Sequence, residues 1–223
     1  MIIRTIAVTV LVATTLVAQV RLDTRQMRSD LFAGMAGNAE AFKRVLEAGE
    51  RVLVENPDHA QALVWHGAAT LILAMGIQGN QPARVETFQK GIAEVDRAVA
   101  LAPDDIEVRV LRGVVLAPLS RQMPLPFSQR MLEKARADYQ RVFDLQQDRL
   151  DRIGAHPLGE LLQGLGDIYS RQEKTDEAEK YYGMIQQMLK ETEYARRAAL
   201  WMQTKQPLQA EQTACVGCHV RGR

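Results

Sequence analysis

The sequence predicts an all-α protein in which helices pair into hairpins and the hairpins stack side by side. Three observations lead there. Ala, Leu, Gln, Glu and Arg are abundant while aromatics make up only 5% of the 223 residues, a mixture that favours helix. No stretch alternates apolar and polar residues over four or more positions between turn signals, so no sheet is expected. Helix breakers recur along the chain, at Asn56-Pro57-Asp58, Gly79-Asn80, Ala102-Pro103-Asp104, Met123-Pro124-Leu125-Pro126, His156-Pro157 and Gln206-Pro207,.

The chain opens with a short basic start, Met1–Arg4, followed by the apolar run Thr5–Val20 and then the polar RLDTRQMRSD. That outline is a secretory signal. Leu16 is not small, which makes a cut after Ala18 poor, and the run is somewhat short of the ~20 apolar residues of a full span. Residues 1–20 therefore read as a signal peptide or an N-terminal anchor, and either places the chain outside the cytoplasm, in the periplasm or held on the inner membrane. Residues 21–37 read as a linker. The charge balance is even, 28 Lys and Arg against 27 Asp and Glu, so the strongly basic footprint of a nucleic-acid binder is absent.

Residues 38–205 are expected to form the helical body, with helices near 38–55, 59–77, 82–102, 105–118, 128–147, 158–171, 175–190 and 192–204. The irregular Pro124–Phe127 segment is expected to join two helix pairs. Within the body, Leu162-x-x-Leu165-Gly166-x-x-Tyr169 is followed by Ala178 and Tyr182. Small residues sit where helices must cross closely, and large ones fill the space around them. Two earlier copies are looser. Pro57 is followed by Gly67, Pro103 by Gly113, and Gly91, Val95 and Ala98 lead into Pro103.

Residues 38–190 thus resemble the tetratricopeptide repeat, whose unit is a helix pair of about 34 residues. The first copies have lengthened helices, and His66 and Arg112 stand where that family prefers leucine. The resemblance implies a solenoid of helical hairpins that docks a protein partner, with a capping helix at its end. Residues 193–204 fit the cap, with Tyr194, Ala198, Leu200 and Trp201 on one side and Arg196 and Arg197 turned away,. Met184 and Met188 are expected to line the core of the last hairpin.

Pro207 ends the cap and leaves residues 206–223 as a tail. Leu208–Ala214 would span about 20 Å if extended. The tail then presents Cys215-Val216-Gly217-Cys218-His219, which holds the only two cysteines of the chain. Cys-x-x-Cys-His is the attachment pattern of haem c. Two thiols at this spacing can form thioethers with the two vinyl groups, and the adjacent histidine supplies an axial nitrogen to iron. A redox disulfide would sit in a βαβ setting, and zinc would need a second ligand pair; neither is evident. An uncommitted pair in a loose tail is the remaining alternative. The segment resembles the attachment site of a c-type cytochrome, which implies one covalent haem c on Cys215 and Cys218, with His219 as proximal iron ligand. Ordinary monohaem cytochromes wrap much more chain around the group. Only four residues follow His219 here, so the cover must come from the body, a partner or another copy.

A sixth ligand would come from upstream. His156 is the first choice, because Pro157 suits the first turn of a helix and the helix dipole there disfavours imidazolium. His66 reads as a buried core residue, His59 as a first-turn surface residue, and Met202 as a sulfur alternative. Residues 190–223 hold an excess of three positive charges, which could meet haem propionates or an acidic partner. No Ser/His/Asp, HExxH or phosphate-loop pattern suggests enzyme chemistry. The expected function is monohaem electron transfer with a docked protein. A protein-interaction scaffold with an incidental cysteine pair is the alternative, and a haem sensor or peroxidase-like protein a further one.

Overall fold

A computed structural model describes residues 22–209. The described residues fold into helices α1 (Thr24–Met35), α2 (Ala39–Glu55), α3 (Ala60–Gly76), α4 (Gln81–Leu101), α5 (Ile106–Leu119), α6 (Phe127–Gln146), α7 (Ala155–Arg171), α8 (Thr175–Met188) and α9 (Glu193–Thr204). Short 3-10 turns follow α5 and α6, and no strand occurs among these residues. The helix starts are chemically marked. Asp23, Asn38, Asn80, Asp105 and Thr192 each accept a hydrogen bond from the backbone N–H three residues on, which satisfies one orphan donor of the first turn.

Consecutive helices pair as α1/α2, α3/α4, α5/α6 and α7/α8, and α9 closes the stack against α8 and α7. The first helices of successive hairpins neighbour one another, α1 on α3, α3 on α5 and α5 on α7. The fold is therefore a tetratricopeptide-like solenoid of helical hairpins. One core runs through it, with Trp65, Leu116, Leu162, Tyr182 and Trp201 fully buried. In the last hairpin a Cβ on Gly166 would lie 2.8 Å from the Tyr182 ring. The small residue is what lets α7 and α8 close on the aromatic.

The looser copies depart from the repeat pattern for a physical reason. His66 is buried on α3, and its Nδ1 lies 2.7 Å from Glu94 Oε2 on α4. Arg112 is buried on α5 and donates from Nε (2.7 Å) and a terminal nitrogen (2.9 Å) to Asp138 on α6. Each polar residue standing in for leucine crosses its hairpin to a carboxylate. The partner satisfies a group that would otherwise be costly to bury.

Three expectations need correction. Residues 21–37 are no linker, because they contain α1. Met27 and Leu31 of α1 are buried, and Asp30, also buried, receives two hydrogen bonds from Arg44 of α2 at 3.1 and 2.5 Å. Met27, Leu31, Phe32 and Met35 stand at helical spacing in this short segment, and tertiary packing stabilises it,. The Pro124–Phe127 segment lies inside the α5/α6 hairpin, and the break between hairpins is the turn at Gln147–Arg152. Leu200 and Met188 are exposed at 37% and 38%, so neither serves the core as expected. The apolar side of α9 is Tyr194, Ala198 and Trp201.

Candidate functional site

The row of first helices encloses a groove of about 680 Å³ between α1, α3, α5 and α7, floored in part by Tyr139 and Val142 of α6. Leu31, Trp65, Val110, Leu111 and Val114 make most of its wall apolar. Arg28 and Glu107, 4.0 Å apart, stand on one side, and His156 and Glu160 on the other. Its size and lining are those of a small-molecule or cofactor site.

His156 is the second residue of α7 and Pro157 the third. Proline is tolerated there because its missing N–H falls in the unbonded first turn. His156 is therefore in the first turn, and Gly154 takes the cap position expected near it. Tyr194 of α9 reaches across α7 to this turn. Its hydroxyl lies 2.8 Å from His156 Nδ1 and 2.7 Å from Glu160 Oε1. The hydroxyl has one proton, and a carboxylate can only accept, so that proton goes to Glu160. The contact with His156 is then made by Nδ1–H donating to the Tyr194 oxygen. In the neutral imidazole this arrangement places the proton on Nδ1. Gly159 makes room for this contact, because a Cβ there would run into the Tyr194 ring.

The other upstream candidates serve the fold. His66 is engaged with Glu94 as described. His59 caps α3, its Nδ1 accepting from Ala62 N at 3.1 Å, and is not merely a first-turn surface residue. Met202 is half-buried, with its sulfur 3.6 Å from Lys205 Nζ. Met184 is partly buried against the core. Among the described residues no group of three or more His, Cys, Asp or Glu could hold a metal ion. No helix among them is long and apolar enough to cross a membrane. Cys215, Cys218 and His219 lie outside the described residues, as does the 1–20 segment.

The chain turns back after α9. Lys205 adopts a left-handed φ of 53° at the helix end, and Leu208 is buried. The Leu208 carbonyl accepts from an Arg121 terminal nitrogen at 3.1 Å, and the same nitrogen donates to both Asp167 oxygens at 2.7 and 3.0 Å. Arg171 stands 3.6 Å from the same carboxylate. Burial pushes the Asp167 carboxyl above its usual range, while Arg121 and Arg171 oppose that push. Arg121 is thus a latch between α7 and the start of the tail.

Sequence reasoning finds His156 but misses Tyr194, Glu160 and Arg121 as its setting. His156 and Glu160 are four apart, hence on one helix face, and that signal is readable. Tyr194 and Arg121 reach the site only through the stacking of distant helices.

The groove thus combines apolar walls with an imidazole and a carboxylate at one edge. No protein-family model and no curated protein matches the chain. Among solved structures it is similar to a thermophilic TPR protein in Thermus thermophilus, with 18% identity and a TM-score of 0.54. That match covers 79% of this chain and 78% of the other. At this identity the likeness is one of fold, and the fold is the tetratricopeptide-like solenoid.

Proposed function

We propose that this chain is an exported monohaem c-type cytochrome on a tetratricopeptide-like scaffold, passing electrons to or from a protein docked on that scaffold. The observation that carries the reading is Cys215-Val216-Gly217-Cys218-His219, because the chain spends its only two cysteines on that spacing. Attachment is an addition. Cys215 and Cys218 would hold the group, each sulfur adding to one vinyl carbon with its proton passing to the neighbouring carbon and nothing leaving. The two thiols must therefore be reduced at that moment. Haem c, when bound, supplies a one-electron ferric/ferrous couple, and the other reactant is a one-electron redox protein. His219 is the proximal ligand. The apolar N-terminal run of residues 1–20 supports export, as a cleaved leader or as an anchor, and haem c attachment takes place outside the bacterial cytoplasm.

A second reading is favoured by the fold likeness to a TPR protein. In it the solenoid is a protein-interaction scaffold and the cysteine pair is incidental. The test is a covalent haem stain of the denatured full-length chain, made in a host with cytochrome c maturation. A stained band that Cys215→Ser with Cys218→Ser abolishes is the expected result. Absence of a band from the wild-type chain would leave the scaffold reading standing alone.

A further inference from the structure

We propose that one edge of the solenoid, built from the α1/α2, α3/α4 and α5/α6 turns, binds the surface of a lipid bilayer that carries anionic headgroups. This inference goes beyond the haem reading above and does not depend on it.

The edge follows from the topology. Each hairpin is antiparallel and successive first helices neighbour one another. The turns inside the hairpins therefore line one side of the stack, and the turns between hairpins line the other. The two sides differ in chemistry. The chain has no Asp or Glu between Asp30 and Glu40, between Asp58 and Glu86, or between Glu107 and Glu133. Those three stretches hold the turns inside the first three hairpins. At and beside the turns between hairpins stand Glu55 and Asp58, Asp104 and Asp105, and Asp148 and Asp151. The α7/α8 turn brings in Glu173, with Asp176 and Glu177 at the start of α8, so the carboxylate-free edge ends at the third hairpin.

The same edge presents apolar side chains. Met35 at the end of α1, Leu73 in the last turn of α3, Val85 near the start of α4, and Leu125 and Phe127 at the α5/α6 turn are all exposed, the last two at 70% and 53%. Lys134 of α6 donates to Asp96 of α4. These two second helices run parallel, so counting back from that pair sets Val85 level with Met123 and Gln89 level with Phe127. Val54 and Leu101, also exposed, lie at the opposite edge beside Glu55 and Asp104.

Charge and shape select the occupant. The first ten residues of α2, α4 and α6 hold seven Lys and Arg against four Glu, an excess that favours an anionic surface. Arg84 and Arg130 are exposed among the apolar tips, and Arg130 lays its guanidinium 4.5 Å over the Phe127 ring. The apolar side chains stand on successive turns and form a protruding row, and a protruding row fits a plane better than a pocketed partner. A bilayer interface takes apolar side chains to a depth of about 5–10 Å. Arginines beside them stay at headgroup level, where they meet lipid phosphates. The carboxylate-bearing edge then faces water, which orients the solenoid on the surface.

The experiment uses the full chain with Cys215→Ser and Cys218→Ser, so that one introduced cysteine takes a nitrobenzoxadiazole label. Leu125→Cys places the label on the proposed edge, and Asp148→Cys places it beyond the other end of α6. The probes are vesicles of phosphatidylcholine alone and of phosphatidylcholine with equimolar phosphatidylglycerol. With the anionic vesicles the label at position 125 should brighten and shift its emission to the blue, and the label at position 148 should not. Arg84→Gln combined with Arg130→Gln should raise the lipid concentration needed for half the effect roughly tenfold. Phe127→Ser should shrink the shift, and helical circular dichroism should be unchanged in both variants. A label at 125 that stays in water with either vesicle would overturn the proposal, even where the chain floats with the vesicles through residues 1–20, and would leave the edge to a protein partner. Equal shifts at 125 and 148 would overturn it in favour of unoriented adsorption. A shift at 125 that ignores the loss of both arginines would overturn the assignment to an anionic surface.

Discussion

The Tyr194 hydroxyl lies 2.8 Å from His156 Nδ1 and 2.7 Å from a Glu160 carboxylate oxygen. The last helix of the stack therefore sets the tautomer of a histidine in the first turn of α7. A neutral histidine side chain in water carries its proton mostly on Nε2. A fixed Nδ1–H is a signature of this contact.

Gly159→Ala tests that relationship without touching any of its three members. A Cβ at this position meets the Tyr194 ring, so α9 must shift. Overpacking of this kind costs roughly 1–3 kcal/mol. In the haem-free Cys215→Ser, Cys218→Ser chain, nitrogen NMR should show His156 protonated on Nδ1. Gly159→Ala should move it to a mixture of tautomers and lower the denaturation midpoint. A lower midpoint with the tautomer intact would mean that Tyr194 does not impose it.

How much of this was readable in the sequence depends on where the information resides. The α7/α8 hairpin is legible because Leu162, Leu165, Gly166, Tyr169, Ala178 and Tyr182 lie within one supersecondary unit, and spacing alone encodes their meeting. His156 is legible because Pro157 marks a helix start. The helix α1 is marked only by Met27, Leu31, Phe32 and Met35 after the Asp23 cap, and its docking relies on Asp30 meeting Arg44 from the next helix. Tyr194 and Arg121 act across contacts of 38 and 46 residues, and those contacts exist only once the hairpins have stacked.

The buried pair Arg112 and Asp138 should behave asymmetrically. Asp138 is fully buried and accepts from both Arg112 and Arg109. Burial pushes its carboxyl above the usual range, with Arg112 and then Arg109 pulling it back. Asp138→Leu alone leaves the buried Arg112 with Asp96 as its remaining carboxylate, 2.9 Å away, and should cost up to about 3–5 kcal/mol. Arg112→Leu combined with Asp138→Leu should cost clearly less than Asp138→Leu alone, because leucine is the residue the repeat pattern prefers at 112. Urea denaturation of the three chains decides it. A double variant no better than the single one would show that the pair does more than satisfy itself.

Stability contributed by α1 should fade in acid. Hydrogen bonds from Arg44 hold the Asp30 carboxyl below its usual range against the effect of burial, with help from Gln26. A depressed folded value means that the contribution is complete above the ordinary carboxylate range near 4. It is lost as the pH falls through the lower folded value. Asp30→Asn should therefore destabilise at pH 7 and approach wild type as the pH falls below the ordinary carboxylate range,. Hydrogen exchange of α1 amides should follow the same course. A deficit that persists unchanged in acid would assign the effect to packing.

Removing Arg121 should also cost most near neutrality, although the carboxyl it faces is shifted in the other direction. Asp167 is buried, and its carboxyl already stands above the usual range because desolvation outweighs Arg121 and Arg171. For a carboxyl raised on folding, the native state binds the proton more tightly, so stability falls as pH rises from the unfolded value through the folded one. Arg121→Ala takes away the nearer of the two cations and raises the folded value further. The protonated form hardly needs that cation, whereas the ionised form does. The deficit of Arg121→Ala should therefore be small near pH 4 and widen toward neutrality, by about 1.4 kcal/mol for each unit of additional pKa rise. Losing the bond to the Leu208 carbonyl adds a part that does not depend on pH. Leu208→Ala isolates the cost of loosening the tail and should give a flat deficit across the same range. A flat profile in Arg121→Ala as well would mean that Arg171 alone keeps Asp167 ionised, and that Arg121 serves only as the latch.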